Sequence, residues 1–273
     1  MKTRILSAIF IVGPLLIFLF LGGIPLLVFC LAISAVGMHE FYKGYEHIDV
    51  HAGKYWSFGM LAALYIIIFF GEFTELDPRT YNHILSLWVF GTVCLGLLMT
   101  LIRKDHNILD GPITSLGILY IGYFCAHLLL IDRIYAYSKM VWIVILAAFG
   151  CDTFAYFTGY FLGKHKMAPN ISPKKTWEGA VGGVIGAVVC CGVFGLIMYG
   201  DRGEIFIHCM VMGFFGALFG MAGDLIASAF KRKMGIKDYG NLIPGHGGIL
   251  DRFDSVILVA PFVYYYILIF IRP

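Results

Sequence analysis

KDYGNLIPGHGGILDRFDSVILVAPFVYYYILIFI, Lys237 to Ile271, changes character at its midpoint. The first eighteen residues hold three aspartates, a lysine, an arginine, a histidine and four glycines. The seventeen that follow carry no charged side chain. An apolar helix of that length suits the ~30 Å core of a bilayer. The stretch therefore predicts a membrane span with polar chemistry gathered at its edge.

Composition extends this reading to the whole chain. Of 273 residues, 60% are apolar and 14% charged, where a soluble domain averages about 25% charged. Mean hydropathy is +0.85. These values predict many spans rather than one anchor. The 16% aromatic content fits interfacial Trp and Tyr. A net charge of +3 is too small for a nucleic-acid binder, and there is no P-loop. The seven cysteines all lie in apolar runs without a CxxC pair, so they are expected to pack as small hydrophobes. The N-terminus resembles a signal peptide, but no small-x-small cleavage site follows it, so it is expected to stay.

Apolar runs predict an all-α, polytopic membrane helical bundle of about nine transmembrane helices. They lie at 5–21, 24–41, 55–71, 84–102, 113–131, 140–162, 178–199, 204–229 and 250–271. The first two are short and separated only by GGIP, which leaves a tight hairpin open as an alternative to two full crossings. With the N-terminus cytoplasmic, inner segments hold fourteen Lys and Arg and outer segments five, with Arg252 at the start of the last span. That bias favours N-in and C-out. No internal repeat or low-complexity linker appears, so a single membrane domain over 1–273 is expected.

Acids inside spans narrow the chemistry. An ionised Asp at a helix centre costs about 2.5–3.5 kcal/mol on insertion scales, so each needs a partner, water or a metal. Asp152, Asp224, Asp251 and Asp254 qualify. Helical spacing puts Asp224 with Ser228, Asp251 with Asp254, and Asp152 with Tyr156 on shared faces. Carboxylates without Cys or clustered His suit a hard cation such as Mg²⁺. The plainer alternative is that each acid pairs with a nearby base. Glu40 reads as an ordinary interfacial acid.

Two loops look built for polyanions. PGHGG lets backbone approach a ligand closely, and a helix start follows at once, where free N–H groups favour anions. In ISPKKTWEGA, Pro173 breaks the chain, Thr176 can cap, and Trp177 and Glu178 begin the next span. Lys174 and Lys175 then flank a helix N-terminus.

The run SAFKRKMGIKDYGNLIPGHGGILDRFD, Ser228 to Asp254, resembles the signature of the phosphatidate cytidylyltransferases, or CDP-diacylglycerol synthases. Every fixed position of that pattern is present: Ser228, Lys231, Arg232, Lys237, Asp238, Gly240, Pro244, His246, Gly247, Gly248, Asp251, Arg252 and Asp254. ISPKKTWEG, DTFAYFTG and GDLIAS also resemble that family, and TSLGILYIGY does so more loosely. The likeness is strong from about residue 110, which makes 110–273 the expected catalytic part. Over 1–109, the N-terminal helices, only the hydrophobic plan agrees.

The resemblance implies transfer of a cytidylyl group from CTP to phosphatidic acid, giving CDP-diacylglycerol and pyrophosphate in phospholipid biosynthesis. It implies a homodimer in a bacterial cytoplasmic membrane, with its site facing the cytosol. It also implies Mg²⁺, with Asp224 and Asp251 as the metal ligands, and a second cation such as K⁺ beside it. Asp224, Asp251, Lys237, His246 and Arg252 are the expected catalytic set. The expected substrate-binding set is Asp152, Tyr156, Ser172, Lys174, Lys175, Thr176, Trp177, Glu178, Ser228, Lys231, Arg232, Asp238, Gly247, Gly248 and Asp254.

Elementary chemistry agrees with that inventory. A phosphate monoester with a second pKa near ~6 is already anionic at neutral pH, so attack needs no strong base. The obstacle is repulsion between two polyanions, which fixed cations, a metal and in-line positioning overcome. His246 is read as loop support or phosphate contact in preference to acid–base work. Trp177 is read as an interfacial anchor in preference to a stacking partner, and Asp238 is open between capping, pairing and substrate contact. A transporter using intramembrane acids is the rival from another class, but the charges gather at one edge and no repeated halves appear. A CDP-alcohol phosphotransferase lacks its motif here, and a membrane scaffold would not need these acids and lysines together.

Overall fold

The computed structural model describes residues 13–73, 77–102, 107–200, 202–242 and 247–271. Helix α1 covers 13–21 and ends where Gly22 and Gly23 both adopt positive φ, 62° and 49°. This is the left-handed region that glycine enters without strain. The chain folds back there, and the Phe18 and Phe29 rings stack at 4.7 Å across the turn. The sharp turn suggested by GGIP is thus present, and α2 beyond it is long and apolar enough to cross a membrane. The rest of the predicted first span lies outside the described residues.

Next come α2 (Gly23–Tyr45), α3 (Lys54–Phe73), α4 (Pro78–Ile102) and α5 (Asp110–Gly117). Helix α5 runs through a π-helical turn at Ile118–Tyr123 into α6 (Phe124–Asp132). After α7 (Val141–Leu162), strands β1 (Lys166–Ala168) and β2 (Ser172–Thr176) form a hairpin. Helices α8 (Trp177–Tyr199), α9 (Gly203–Lys233) and α10 (Leu250–Tyr266) complete the order. Among the described residues, eight helical segments are long and apolar enough to cross a membrane. They correspond to the second through ninth predicted spans, and the protein is an all-α, multi-pass integral membrane protein. The hairpin was not anticipated. Its strands are too short to show alternation, and Pro169 and Asn170 between them favour a turn.

Two compact units divide the chain, one formed by Met1–Leu129 with Met234–Asp251, the other by Leu130–Lys233 with Arg252–Pro273. In the first, Phe41 of α2 lies among the rings of Tyr42, Tyr45, Tyr120 and Tyr239 at 5.0–6.3 Å. The Tyr42 hydroxyl donates to the Thr114 carbonyl at 2.8 Å, and the His51 N–H donates to Asp110 Oδ1 at 2.8 Å. Buried polar groups in lipid surroundings need such partners, since no water is at hand to replace them.

In the second unit, α8 presents Gly179, Gly183, Ala187, Cys191 and Gly195 at intervals of four, all buried. Small residues at this spacing let helix backbones approach closely, which is the usual way to gain packing energy where the solvent is itself apolar. Cys151 of α7 and Ala187 and Ala217 of α8 and α9 sit at the centre of this contact. Helix α9 has 31 residues, about 46 Å at 1.5 Å per residue. It therefore exceeds the bilayer core and can carry Lys231, Arg232 and Lys233 at its end.

Gly183→Ala is expected to cost about 1–3 kcal/mol of stability. The added Cβ would lie 2.9 Å from both the carbonyl oxygen and the sulfur of Cys151. Gly91→Ala, with nothing within 4 Å of its Cβ, should be neutral or slightly stabilising. Unfolding of both variants in detergent checks this, and equal losses at the two positions would refute the close-packing account.

Candidate functional site

The hairpin between α7 and α8 is held at both ends. At its base, Thr176 caps α8, its Oγ1 accepting the Gly179 N–H at 3.1 Å, as the sequence led one to expect. Glu178 turns back to accept the Lys164 N–H at 3.1 Å and the His165 N–H at 3.2 Å. Its other oxygen lies 2.6 Å from His165 Nδ1. The Trp177 N–H donates to the His165 carbonyl at 3.0 Å. At the tip, Arg232 Nε donates to the Ile171 carbonyl at 3.3 Å. Glu178 and Arg232, both expected to bind substrate, here fasten the hairpin.

The fastened hairpin forms part of the wall of a cavity of about 610 Å³, within the range of ligand sites. Asp152, Tyr156, Lys174, Lys175, Thr176 and Asp224 all line it. These six expected residues come from α7, the hairpin and α9. Lys175 Nζ lies 2.7 Å from Asp224 Oδ2. Asp224 Oδ1 also accepts the Ser228 hydroxyl at 3.3 Å, the pair that a four-residue spacing placed on one face. Asp152 Oδ2 accepts the Ser255 hydroxyl at 3.3 Å. The charges of Asp152, Asp224 and Asp254 are near enough to repel one another, with Lys175 and Lys231 as countercharges. The plainer reading, an acid paired with a base, is therefore realised at Asp224. The Lys175 nitrogen is itself buried, so an incoming polyanion would have to take the place of the Asp224 carboxylate as its countercharge rather than leave it bare.

Several lining residues were not among the expected substrate contacts. Lys166, Tyr160, Gly159 and Met221 also face the cavity. Lys166 was visible only as one more basic residue in a loop. Its place in a strand opposite Thr176 is what brings it inside. The Tyr156 and Tyr160 rings are nearly parallel at 6.4 Å. Ser172, Trp177, Lys231 and Asp254 are not part of the lining. Trp177 is exposed on the surface, as suits an interfacial anchor. Lys231 and Asp254 are buried, and Asp254 Oδ1 accepts the neighbouring Ser255 N–H at 2.9 Å.

The glycine-rich stretch is organised differently from the expectation. Asp251 Oδ2 accepts the N–H groups of Tyr239 at 2.8 Å and Gly248 at 2.9 Å. Glu40 of α2 accepts those of Ile249 at 3.0 Å and Leu250 at 2.9 Å. Two N–H groups at the start of α10, a helix end read from the sequence as a phosphate site, are thus taken by the Glu40 carboxylate. Glu40 is correspondingly not an ordinary interfacial acid, since it is only 6% exposed. No sequence-local signal marks it, because its partners lie more than 200 positions away. Gly247 adopts φ 80°, and Gly248 lies so close to Glu40 that any Cβ would collide with the carboxylate. Lys237 and Asp238 are exposed. His246 lies outside the described residues.

Among the described residues, no three His, Cys, Asp or Glu side chains converge to hold a metal ion. That does not disfavour Mg²⁺, which commonly takes one or two carboxylates and fills the remaining positions with water and substrate phosphates. Asp224 and Asp152 offer such oxygens in the cavity. Asp251 belongs to the other compact unit, where one of its oxygens is engaged by backbone.

Comparison with known proteins accords with the site. The model of the Cytidylyltransferase family matches residues 2–270. The chain is 30% identical over 278 residues to a phosphatidate cytidylyltransferase of Bacillus subtilis, covering 99% of this chain and 98% of that one. It is 32% identical to a protein of the same name from Staphylococcus saprophyticus, covering 96% of each chain. A third, from Brucella abortus, is 30% identical over all of this chain and 95% of its own. With a family model spanning nearly every residue and full-length relatives at this identity, the chain belongs to the cytidylyltransferase family.

Proposed function

We propose that this protein transfers the cytidylyl group of CTP to phosphatidic acid, releasing pyrophosphate and forming CDP-diacylglycerol. The observation that carries this reading is the cavity that gathers Lys166, Lys174 and Lys175 around Asp152 and Asp224. A lipid-embedded protein has little reason to collect such charges except to hold polyanions. Full-length similarity to proteins named phosphatidate cytidylyltransferase supports the choice of substrates.

The lysines do the main electrostatic work in this proposal. They lower the repulsion between the phosphate of phosphatidic acid and the triphosphate, so an oxygen of the first can approach the α-phosphorus of the second. Fixed cations in a site of restricted water act more strongly than they would in solution. The attacking oxygen is already anionic, so no side chain must remove a proton. Lys175 passes from Asp224 to a phosphate oxygen as nucleotide enters, and the departing pyrophosphate stays neutralised by the same cations. Asp224 and Asp152 would hold Mg²⁺, with Asp251 the further ligand that the family resemblance implies. A bound divalent ion supplies additional charge neutralisation on the phosphates. The proposal extends to a second cation such as K⁺, to catalytic parts for Lys237, His246 and Arg252, and to a homodimer. It places the cavity on the cytosolic side of a bacterial inner membrane, where the excess of basic residues and the supply of CTP agree.

Purified protein given phosphatidate in detergent, labelled CTP and Mg²⁺ should form a CDP-lipid, and chelation should stop the reaction until Mg²⁺ is restored. Absence of product from folded protein would refute the reading. Asp224→Asn and Asp251→Asn are each expected to lower kcat/KM about 100-fold or more, some 2.7 kcal/mol of transition-state stabilisation. Turnover unchanged in either variant removes that residue from the metal site.

Lys175→Ala should raise the CTP concentration for half-maximal rate about tenfold, the loss of one charge-assisted phosphate contact. An unchanged requirement would return Lys175 to a purely structural pairing with Asp224.

A further inference from the structure

A carboxylate buried at 6% exposure in the N-terminal third of the chain is unexpected, since nothing in that third matched a functional motif. Glu40 has no basic side chain among its hydrogen-bonding partners at the 249–250 turn. It has two backbone N–H groups instead, one on each oxygen, at 3.0 and 2.9 Å. Helix starts leave N–H groups without intrahelical acceptors, and a local Ser, Thr, Asp or Asn usually supplies one. Here Ile249 occupies the position before the helix and can supply nothing. Asp251 reaches back to Gly248 and Tyr239, and Glu40 of α2 does the rest. Four N–H groups of one short segment are thereby shared between two carboxylates.

The glycines fit the same device. A Cβ on Gly240 would come within 2.5 Å of Glu40 Oε1, and one on Gly248 would collide with Oε2. Two positions of the segment are thus small because the Glu40 carboxylate lies against them. Asp251 in turn has its orientation set by the Gly248 N–H, whose own position depends on Glu40.

We propose that Glu40 is a positioning residue for cytidylyl transfer: it holds the 247–250 turn on α2 and so fixes the orientation of the Asp251 carboxylate. This rests on the reading that the 237–254 segment takes part in the reaction. Glu40 itself touches no substrate. Glutamine cannot replace it, because its amide N–H₂ would face a backbone N–H that needs an acceptor.

The test is hydrogen exchange on the ligand-free protein in detergent, paired with turnover. Glu40→Gln is expected to speed exchange at the amides of 248–250 at least tenfold while α7, α8 and α9 keep wild-type protection. In the same variant kcat should fall at least tenfold with the KM for CTP changed less than threefold. Gly240→Ala, which retains the carboxylate but crowds it, should show the same pattern in milder form. It carries the test should Glu40→Gln fail to fold. Wild-type exchange at 248–250 in both variants, or fast exchange with unchanged kcat, would overturn the proposal. An inactive but folded wild-type protein would instead sink the functional reading, while the exchange data would still decide whether Glu40 holds the turn.

Discussion

Backbone N–H groups that a fold carries away from water must find acceptors within the protein. Side-chain carboxylates and a hydroxyl supply such acceptors in the described polar segments of this chain. Glu178 and Thr176 take the N–H groups of Lys164, His165 and Gly179. Glu40 and Asp251 take those of Tyr239, Gly248, Ile249 and Leu250. The described parts of each loop are therefore fastened by side-chain acceptors. Residues that would carry chemistry can be aimed only because neighbouring carboxylates have first satisfied the backbone beneath them.

A second constraint follows from charge. Acids within spans are costly, and the second unit meets this by mixing signs. Lys175 lies on Asp224, Lys231 is close enough to offset Asp254, and hydroxyls of Ser228 and Ser255 reach Asp224 and Asp152. A polyanion entering the cavity exchanges one partner for another without uncovering a bare charge, which suits a site that must bind and release two phosphate compounds. Small residues supply the remaining condition. Glycines and alanines on α8 let α7 and α9 approach closely, so residues from separate helices and the hairpin can line one cavity.

Much of this was legible in the residues. Apolar runs predicted eight described spans, since a bilayer imposes a length that composition reveals directly. Thr176 as a cap and Asp224 with Ser228 as neighbours followed from local geometry. The family resemblance rested on a motif long enough to be specific. Short strands, by contrast, left no periodic trace, so the hairpin and the inward position of Lys166 were missed. The acceptor of the Leu250 N–H was not foreseen because it sits in α2.

By itself the sequence determined what depends on local spacing and solvent: the apolar spans, the basic bias of certain loops, and the kinds of side chain available for phosphate chemistry. Tertiary structure alone decided which oxygen meets which N–H. Glu40 and the 249–250 turn are joined across about 210 positions, and nothing in the neighbourhood of either records the other. Their meeting arises from the packing of whole helices, a property of the folded chain rather than of any stretch within it.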